Sequence, residues 1–378
     1  MYLSSLHLSN FRSYESLDLV LTPGTTIFQG ANGYGKTNVV EAIHYLATLS
    51  SHRVGSDLPL IRQGAETATI LAKVHAGVDD DRTLSVAVDI RQGMANKALL
   101  NKAPVRPRDI LGAVRTVFFS PEDLAIVMGD PSERRRFIDD VIVSRWPRLA
   151  GVRSEYERAL KQKTALLKAI SGRSVRGAGA GAEETLAEWD EAIARLGAEI
   201  LAARLATLAD IETMVESNYA RIAPTSTLAQ IAYSSSVTHE HTDVEGIRLA
   251  LVEAILDRKH EEMVRGVCLV GPHRDDLSLS LGTLPVRGYA SHGESWSFAL
   301  ALRLANLDLL RDDGVGPILI LDDVFAELDE NRRTAIVSAM DVVEQSFVTV
   351  AVPRDLPQNL QGCIVEVTPG AVRRIDEP

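Results

Sequence analysis

With 378 residues, the chain exceeds what a single ordinary hydrophobic core holds, and two lobes are expected. An apolar fraction of 46% with 5% aromatics is that of a soluble α/β protein. A net charge of −11 excludes indiscriminate attraction of nucleic acid to the whole surface, although a local basic cluster can still bind it. No run approaches the roughly 18 to 20 apolar residues of a membrane span. The first ten residues alternate like a strand, unlike a signal peptide, so a cytoplasmic location and no membrane partner are expected. Cys268 and Cys363 offer neither a disulfide framework nor metal-site spacing, and read as small buried core residues.

The first 29 residues hold three short alternating segments, at 2–8, 17–21 and 25–28. Residues 67–102 hold three more, at 69–74, 83–90 and 98–100, and together they predict an antiparallel β layer. Between the two groups, Gly30-Ala31-Asn32-Gly33-Tyr34-Gly35-Lys36-Thr37 fits G-x-x-x-x-G-K-[ST]. A glycine-rich surface turn could carry the same letters. Here, however, a β-branched strand at 25–29 precedes the motif, and Val39, Val40, Ile43 and Leu46 mark one face of a helix after it, which is the order a phosphate-binding loop requires. The glycines let backbone N–H groups turn toward phosphates, and the helix N-terminus favours anionic charge. Lys36 adds a point charge on the β- and γ-phosphates of ATP, and the Thr37 hydroxyl can ligate Mg²⁺. All eight residues are candidate nucleotide contacts.

Val117-Phe118-Phe119 reads as a strand running into a helix, with Ser120 as N-cap and Pro121 at the first helical position. From residue 131 the pattern is helical for over a hundred residues. Val152, Tyr156, Leu160, Lys163 and Leu167 mark one stripe, and Leu186, Trp189, Ile193, Leu196 and Ile200 mark another. Residues 171–181 cannot sustain a regular element and read as the tip loop of an antiparallel pair, and residues 244–264 form a further helix. Residues 131–170 carry ten Lys/Arg against five Asp/Glu, and residues 183–219 carry two Arg against nine acids. Either the basic face grips phosphates, or the two helices neutralise each other.

Ala290-Ser291-His292-Gly293-Glu294 stands at the head of a helical run at 298–310. Ser291 can be a simple N-cap. Ser-x-Gly some thirty residues ahead of an acidic strand also looks like an ABC-type signature motif, which contacts the γ-phosphate held by a second copy. The strand follows, as Ile318-Leu319-Ile320-Leu321 ending in Asp322 and Asp323. A phosphate-binding loop needs an acidic strand end beside it to help hold Mg²⁺, so the fold must bring Thr37 and Asp322 together from opposite ends of the chain. The nucleotide domain is therefore split. Residues 1–130 are expected to form its N-terminal part, 131–264 an inserted helical lobe, and 265–378 its C-terminal part with the signature motif, the acidic strand and a D-loop-like Glu327-Leu328-Asp329.

These motifs combine with Asn10-Phe11-Arg12, Phe119-Ser120-Pro121-Glu122-Asp123-Leu124, Arg134-Arg135-x-Phe137-Ile138-Asp139 and Gly271-Pro272-His273-Arg274-Asp275-Asp276-Leu277. Over essentially its full length the chain resembles the RecF family, bacterial recombination mediators of the ABC/SMC-like ATPase group. The resemblance implies an α/β fold, an ABC-type P-loop ATPase lobe with a flanking antiparallel β layer and an inserted, short coiled-coil-like helical lobe. It implies a weak ATPase that closes on ATP as a head-to-tail homodimer. Lys36 and Thr37 would bind phosphates and Mg²⁺, Asp322 would complete the metal site, and Asp323 would position or deprotonate water. Ser291, Gly293 and Asp329 would complete the site of the second copy. The resemblance further implies binding of single-stranded and gapped duplex DNA, association with RecR and RecO, and help in loading RecA during repair, replication and the SOS response. A different ABC/SMC-like ATPase, such as a transporter's nucleotide-binding subunit or an ATPase-coupled nuclease, is the alternative.

Departures from wider patterns accompany the likeness. Glu294 stands where RecF-like signature motifs usually have Gln. Asp322-Asp323 follows the RecF pattern where many ABC ATPases have Asp-Glu, and no histidine follows near residues 348–350. Slow hydrolysis is expected. The stretch from Gly271 to Leu277 reads as salt-bridged structural residues near the signature helix.

Overall fold

The computed structural model describes residues 1–171, 180–224, 227–238, 242–358 and 360–375, so most of the expected tip loop at 171–181 lies outside the described residues. The chain opens with β1 (Tyr2–Phe11), β2 (Tyr14–Val20), β3 (Gly24–Gln29) and α1 (Lys36–Thr48), then β4 (Thr67–Gly77), β5 (Asp80–Arg91), β6 (Lys97–Leu100), β7 (Ala103–Val105) and β8 (Thr116–Phe119). The middle holds α2 (Leu124–Met128), α3 (Pro131–Arg145), α4 (Leu149–Ser171), α5 (Ala180–Ile222), β9 (Ala229–Ser234), α6 (Val244–Arg265), β10 (Asp276–Leu281) and β11 (Leu284–Pro285). The end adds α7 (His292–Asp312), β12 (Ile318–Asp322), α8 (Glu330–Met340), β13 (Gln345–Val350), β14 (Cys363–Thr368) and β15 (Ala371–Ile375).

Two compact units result. The first comprises Met1–Leu124, Thr213–Leu228 and Ala290–Pro378, and the second Ala125–Glu212 and Ala229–Tyr289. The sequence expectation placed 265–289 in the ATPase lobe, but these residues belong to the second unit. The reason is strand pairing, because β10 runs antiparallel to β9, a strand inside the stretch read as helical.

In the first unit, one six-stranded sheet has the order β2-β1-β4-β5-β6-β7 and is antiparallel throughout. The other has the order β15-β14-β3-β13-β12-β8, parallel except at its β15 edge. Residues 25–28, expected in the antiparallel layer, are instead the third strand of the parallel sheet. Thr26, Ile27 and Phe28 are buried in succession, as a strand covered on both faces must be.

Helix α1 touches β1 and β5 of the first sheet and β8, β12 and β13 of the second. Its buried Val39, Val40, Ala42, Ile43, Tyr45 and Leu46 therefore cover more than one face. Burying each of the Val, Ile and Leu side chains contributes roughly 1.5–3 kcal/mol, which anchors the loop that precedes the helix. Parallel pairing sets Phe28 beside Thr349, and Thr349 beside Asp322, so the C-terminal ends of β3, β13 and β12 lie in one row. In open parallel sheets, ligands bind at that edge.

In the second unit, β11-β10-β9 form a small antiparallel sheet. Tyr156, Ile193, Ile200, Leu251 and Ile255 belong to the helical core. Part of the charge asymmetry is neutralised between the helices: Arg145 pairs with Asp210 at 2.8 Å, Arg148 with Glu199 at 3.1 Å, and Lys163 with Asp190 at 2.7 Å. These three cations, from α3, the turn after it and α4, each meet an acid of α5, whereas Arg134 meets Asp276 of β10 and Arg153 meets Asp139 and Asp140 of α3. Lys163, only 2% exposed, also meets Glu262 of α6 at 2.6 Å. A Lys within the apolar stripe of α4 is thus a buried ion pair.

The stretch from Gly271 to Leu277 is salt-bridged as expected, but it works within the second unit. Asp276 takes two bonds from Arg134 at 2.7 and 2.8 Å, and Asp275 accepts from the Tyr233 hydroxyl at 2.8 Å and from Ser236 N–H at 2.6 Å. Arg204 donates to the Pro272 carbonyl and to Asp139, both at 2.8 Å. His273 shares a 2.7 Å bond with the Tyr156 hydroxyl, and burial pushes its imidazole down to about 4, so it is neutral. Cys268 is buried and Cys363 half-buried, and neither is in a disulfide.

Candidate active site

The loop between β3 and α1 is shaped by close approach. A Cβ on Gly30 would collide with the Val367 carbonyl of β14, and at Gly35, φ +105°, it would meet the Ser13 and Tyr14 side-chain oxygens at 2.8 and 2.9 Å. Only glycine fits there. The turn between β1 and β2 braces the loop from behind: Tyr14 OH donates to the Gly35 carbonyl at 3.2 Å, and Asn38 Nδ2 donates to Ser13 Oγ at 2.9 Å. Arg12 in that turn donates twice to the fully buried Glu41 of α1, at 2.8 and 2.6 Å, which gives Asn10-Phe11-Arg12 a physical role. Ala31 accepts from the Tyr34 N–H at 3.3 Å, and the Tyr34 side chain is exposed.

Lys36 is 3% exposed, and its ammonium donates to neutral acceptors, the Gly30 carbonyl at 2.9 Å, with Ala31 O and Asn32 Oδ1 each at 3.4 Å. Across Thr37 the opposite situation holds. Asp322 is 5% exposed, and its Oδ1 accepts from Thr37 Oγ1 at 3.0 Å and Thr349 Oγ1 at 2.6 Å. Burial, augmented by the neighbouring Asp323, pushes the Asp322 carboxyl up to about 6 despite those two bonds. Among the described residues the Lys36 ammonium meets no carboxylate and the Asp322 carboxylate no cation, and a buried charge of either kind is costly alone. Phosphates with a divalent cation would compensate both, so the donor set fits Mg²⁺-nucleotide. Asp323 follows in the left-handed region at φ +51°, with its N–H donating to Thr349 Oγ1 at 2.9 Å.

The second cluster lies at the head of α7. Ser291 is its N-cap and forms a capping box: Ser291 Oγ accepts from Glu294 N–H at 3.2 Å, while Glu294 Oε2 accepts from Ser291 N–H at 2.8 Å and from its hydroxyl at 2.7 Å. These bonds hold the Glu294 carboxyl below its ordinary range. Arg332 of α8 binds this cluster to the D-loop-like segment. It donates to Gly293 O at 2.6 Å, to Ser297 Oγ at 3.0 Å and to Asp329 Oδ2 at 2.6 Å. Asp329 itself caps α8 through Arg332 N–H at 3.0 Å. Ser291, Gly293 and Asp329 thus belong to one hydrogen-bonded assembly.

Reading the sequence missed Thr349, Tyr14 and Arg332. A polar residue near the end of the apolar Phe347-Val348-Thr349-Val350 was the available signal for Thr349. For Arg332 there was only its i,i+3 spacing from Asp329.

Residues 2–364 match the family model described as the RecF/RecN/SMC N terminal domain. The chain is 49% identical over 386 residues to the DNA replication and repair protein RecF of Cutibacterium acnes, covering 98% of each chain. It is 50% identical to the protein of the same name from Kineococcus radiotolerans, over the full length of both. Two solved structures of the recombination mediator protein RecF in the RecFOR pathway, RecF-ATPrS and RecF-ATP, superpose with TM-scores of 0.89 and 0.88 at 27% identity, covering 99% of this chain and 98% of theirs. An Smc head domain from Pyrococcus furiosus, 17% identical with a TM-score of 0.54 over 99% of this chain and 96% of its own, shares the fold. On sequence and fold together, the chain belongs to the RecF family within the wider RecF/RecN/SMC group.

Proposed function

We propose that this protein is an ATP-dependent DNA-binding protein of recombinational repair and replication, acting in the cytoplasm. ATP binding closes two copies head to tail on gapped DNA at a single-strand/duplex junction, and slow hydrolysis releases them. The observation that carries this reading is the pair of buried charges, Lys36 and Asp322, on either side of Thr37, neither of which has an oppositely charged partner among the described residues. The names of the relatives, and the ATP-bound state of the solved RecF, support it.

In this reading the loop N–H groups of residues 30–37 and the Lys36 ammonium bind and orient the β- and γ-phosphates. Thr37 Oγ1 and Asp322 would hold Mg²⁺, whose contribution when bound is to neutralise phosphate charge. Asp323 orients the attacking water and accepts its proton as that oxygen bonds to the γ-phosphorus and ADP departs. The Ser291 hydroxyl and the head of α7, with Gly293 and Asp329, complete the site on the opposite copy. An Asp in place of Glu reaches less far toward water, which fits slow turnover. RecR, RecO and, through them, RecA are the partners that family membership points to.

Light scattering with and without ATP and Mg²⁺ tests the reading. A dimer only with both ligands, abolished in Lys36→Ala together with tight ATP binding by calorimetry, is the expected result. Unchanged ATP affinity in Lys36→Ala overturns it.

A further inference from the structure

Thr349 is the point at which the acidic strand and the residue after it meet one side chain. It lies on β13, between the strand that carries the phosphate-binding loop and the strand that carries Asp322, and is 1% exposed. Its hydroxyl makes two bonds of opposite sense: it donates to Asp322 Oδ1 at 2.6 Å and accepts the Asp323 N–H at 2.9 Å. One proton and one lone pair of one oxygen therefore tie a carboxylate to the backbone of the next residue.

Both tied groups need the constraint. Asp323 is a non-glycine residue at φ +51°, ψ +26°, a conformation that costs roughly 1 kcal/mol or more and persists only where its surroundings enforce it. Asp322 Oδ1 has both its described donors in hydroxyls, Thr37 and Thr349, and Oδ2 has no hydrogen-bond partner among the described residues. Thr37 Oγ1 would be taken up by Mg²⁺ in the reading above, so Thr349 is the donor that belongs to the scaffold. The β-branched side chain is stiff at χ1, which suits a residue whose task is to hold an oxygen in place.

We propose that Thr349 is a positioning residue for ATP hydrolysis, setting the carboxylate of Asp322 and the backbone of Asp323 with one hydroxyl. The inference rests on the ATPase reading. Thr349 touches neither phosphate nor water in this account, and it acts only through the two aspartates. It stands two residues into the stretch where a switch histidine is missing, and supplies order there rather than charge.

The test is Thr349→Val, which keeps the shape and removes the hydroxyl, beside Thr349→Ser, which restores the hydroxyl without the branch. ATP affinity measured by calorimetry without Mg²⁺ is expected to stay within about twofold of wild type in both. In Thr349→Val the gain in affinity on adding Mg²⁺ shrinks at least threefold and kcat falls about tenfold. Thr349→Ser recovers most of both. Thr349→Ala is read in the same way, so a folding defect peculiar to the added methyl does not decide the outcome. Wild-type kcat and an undiminished Mg²⁺ gain in the hydroxyl-free variants overturn the proposal, as does a parallel loss of Mg²⁺-free ATP affinity, which would make Thr349 a general prop of the pocket. Failure of the ATPase reading itself looks different, because wild-type protein would then neither bind nor turn over ATP.

Discussion

Asp322 concentrates the conflict between stability and function at a single residue. Burial raises its carboxyl from 3.8 to about 6 in the folded chain. A carboxyl with a raised folded value contributes stability that is fully present below the unfolded value, near pH 4, and that is lost as pH rises through about 6. Above pH 7 the ligand-free protein therefore carries an ionised buried group, at a cost of up to about 3 kcal/mol for a shift of roughly two units. Asp322→Asn keeps an oxygen for the Thr37 and Thr349 hydroxyls and removes the charge. Its nucleotide-free form is expected to be more stable than wild type in urea at pH 7.5, with the difference vanishing toward pH 4, while the affinity gain from Mg²⁺ is lost. A less stable Asn variant at pH 7.5 contradicts this account. Glycine acts at the same scale, since Gly30 and Gly35 are where a Cβ would strike Val367 or the Tyr14 hydroxyl.

At the scale of the element, α7 shows two roles compatible in one motif. Ser291 caps its helix as any Ser can, and the residue stays exposed at the helix head. Glu294, the departure from the usual Gln, takes the place in the capping box that Gln would also fill. Ser291→Arg removes the cap, a loss of about 1 kcal/mol, and sets a bulky side chain at the head of the helix. ATP binding to the monomer is expected to persist while the ATP-dependent dimer disappears from light scattering. A full dimer in that variant would remove the trans role from the motif. Arg332 makes the signature helix and the D-loop-like segment one assembly, since one guanidinium spans Gly293, Ser297 and Asp329. A planar fork of donors does this, and the point charge of a Lys could not.

At the scale of the molecule, part of the basic stretch at 131–170 is spent on its acidic counterpart, through Arg145, Arg148 and Lys163. Lys163→Met leaves Asp190 and the buried Glu262 without their cation, and breaking such a pair costs roughly 3–5 kcal/mol. The variant is expected to melt earlier while the salt dependence of DNA binding keeps its slope, since each lost phosphate contact would lower that slope by about 0.9. A lowered slope with an unchanged melting temperature would return Lys163 to a DNA groove. What the sequence determined by itself is whatever depends on local chemistry: the strand, glycine loop and helix at 25–48, the acidic end of β12, the cap at Ser291, the helix expected at 244–264 and the membership that these motifs in this order signal. Periodicity and capping act over a few residues, so they can be read along the chain. Whether residues 25–28 join the parallel or the antiparallel sheet, which unit takes 265–289, whether a basic face is spent on acids or left for phosphates, and that Thr349 ties Asp322 to Asp323 were decided only in the tertiary structure. Strand partners and ion-pair partners are chosen between segments far apart in sequence, and no local pattern records which of several compatible partners will be the one that is met.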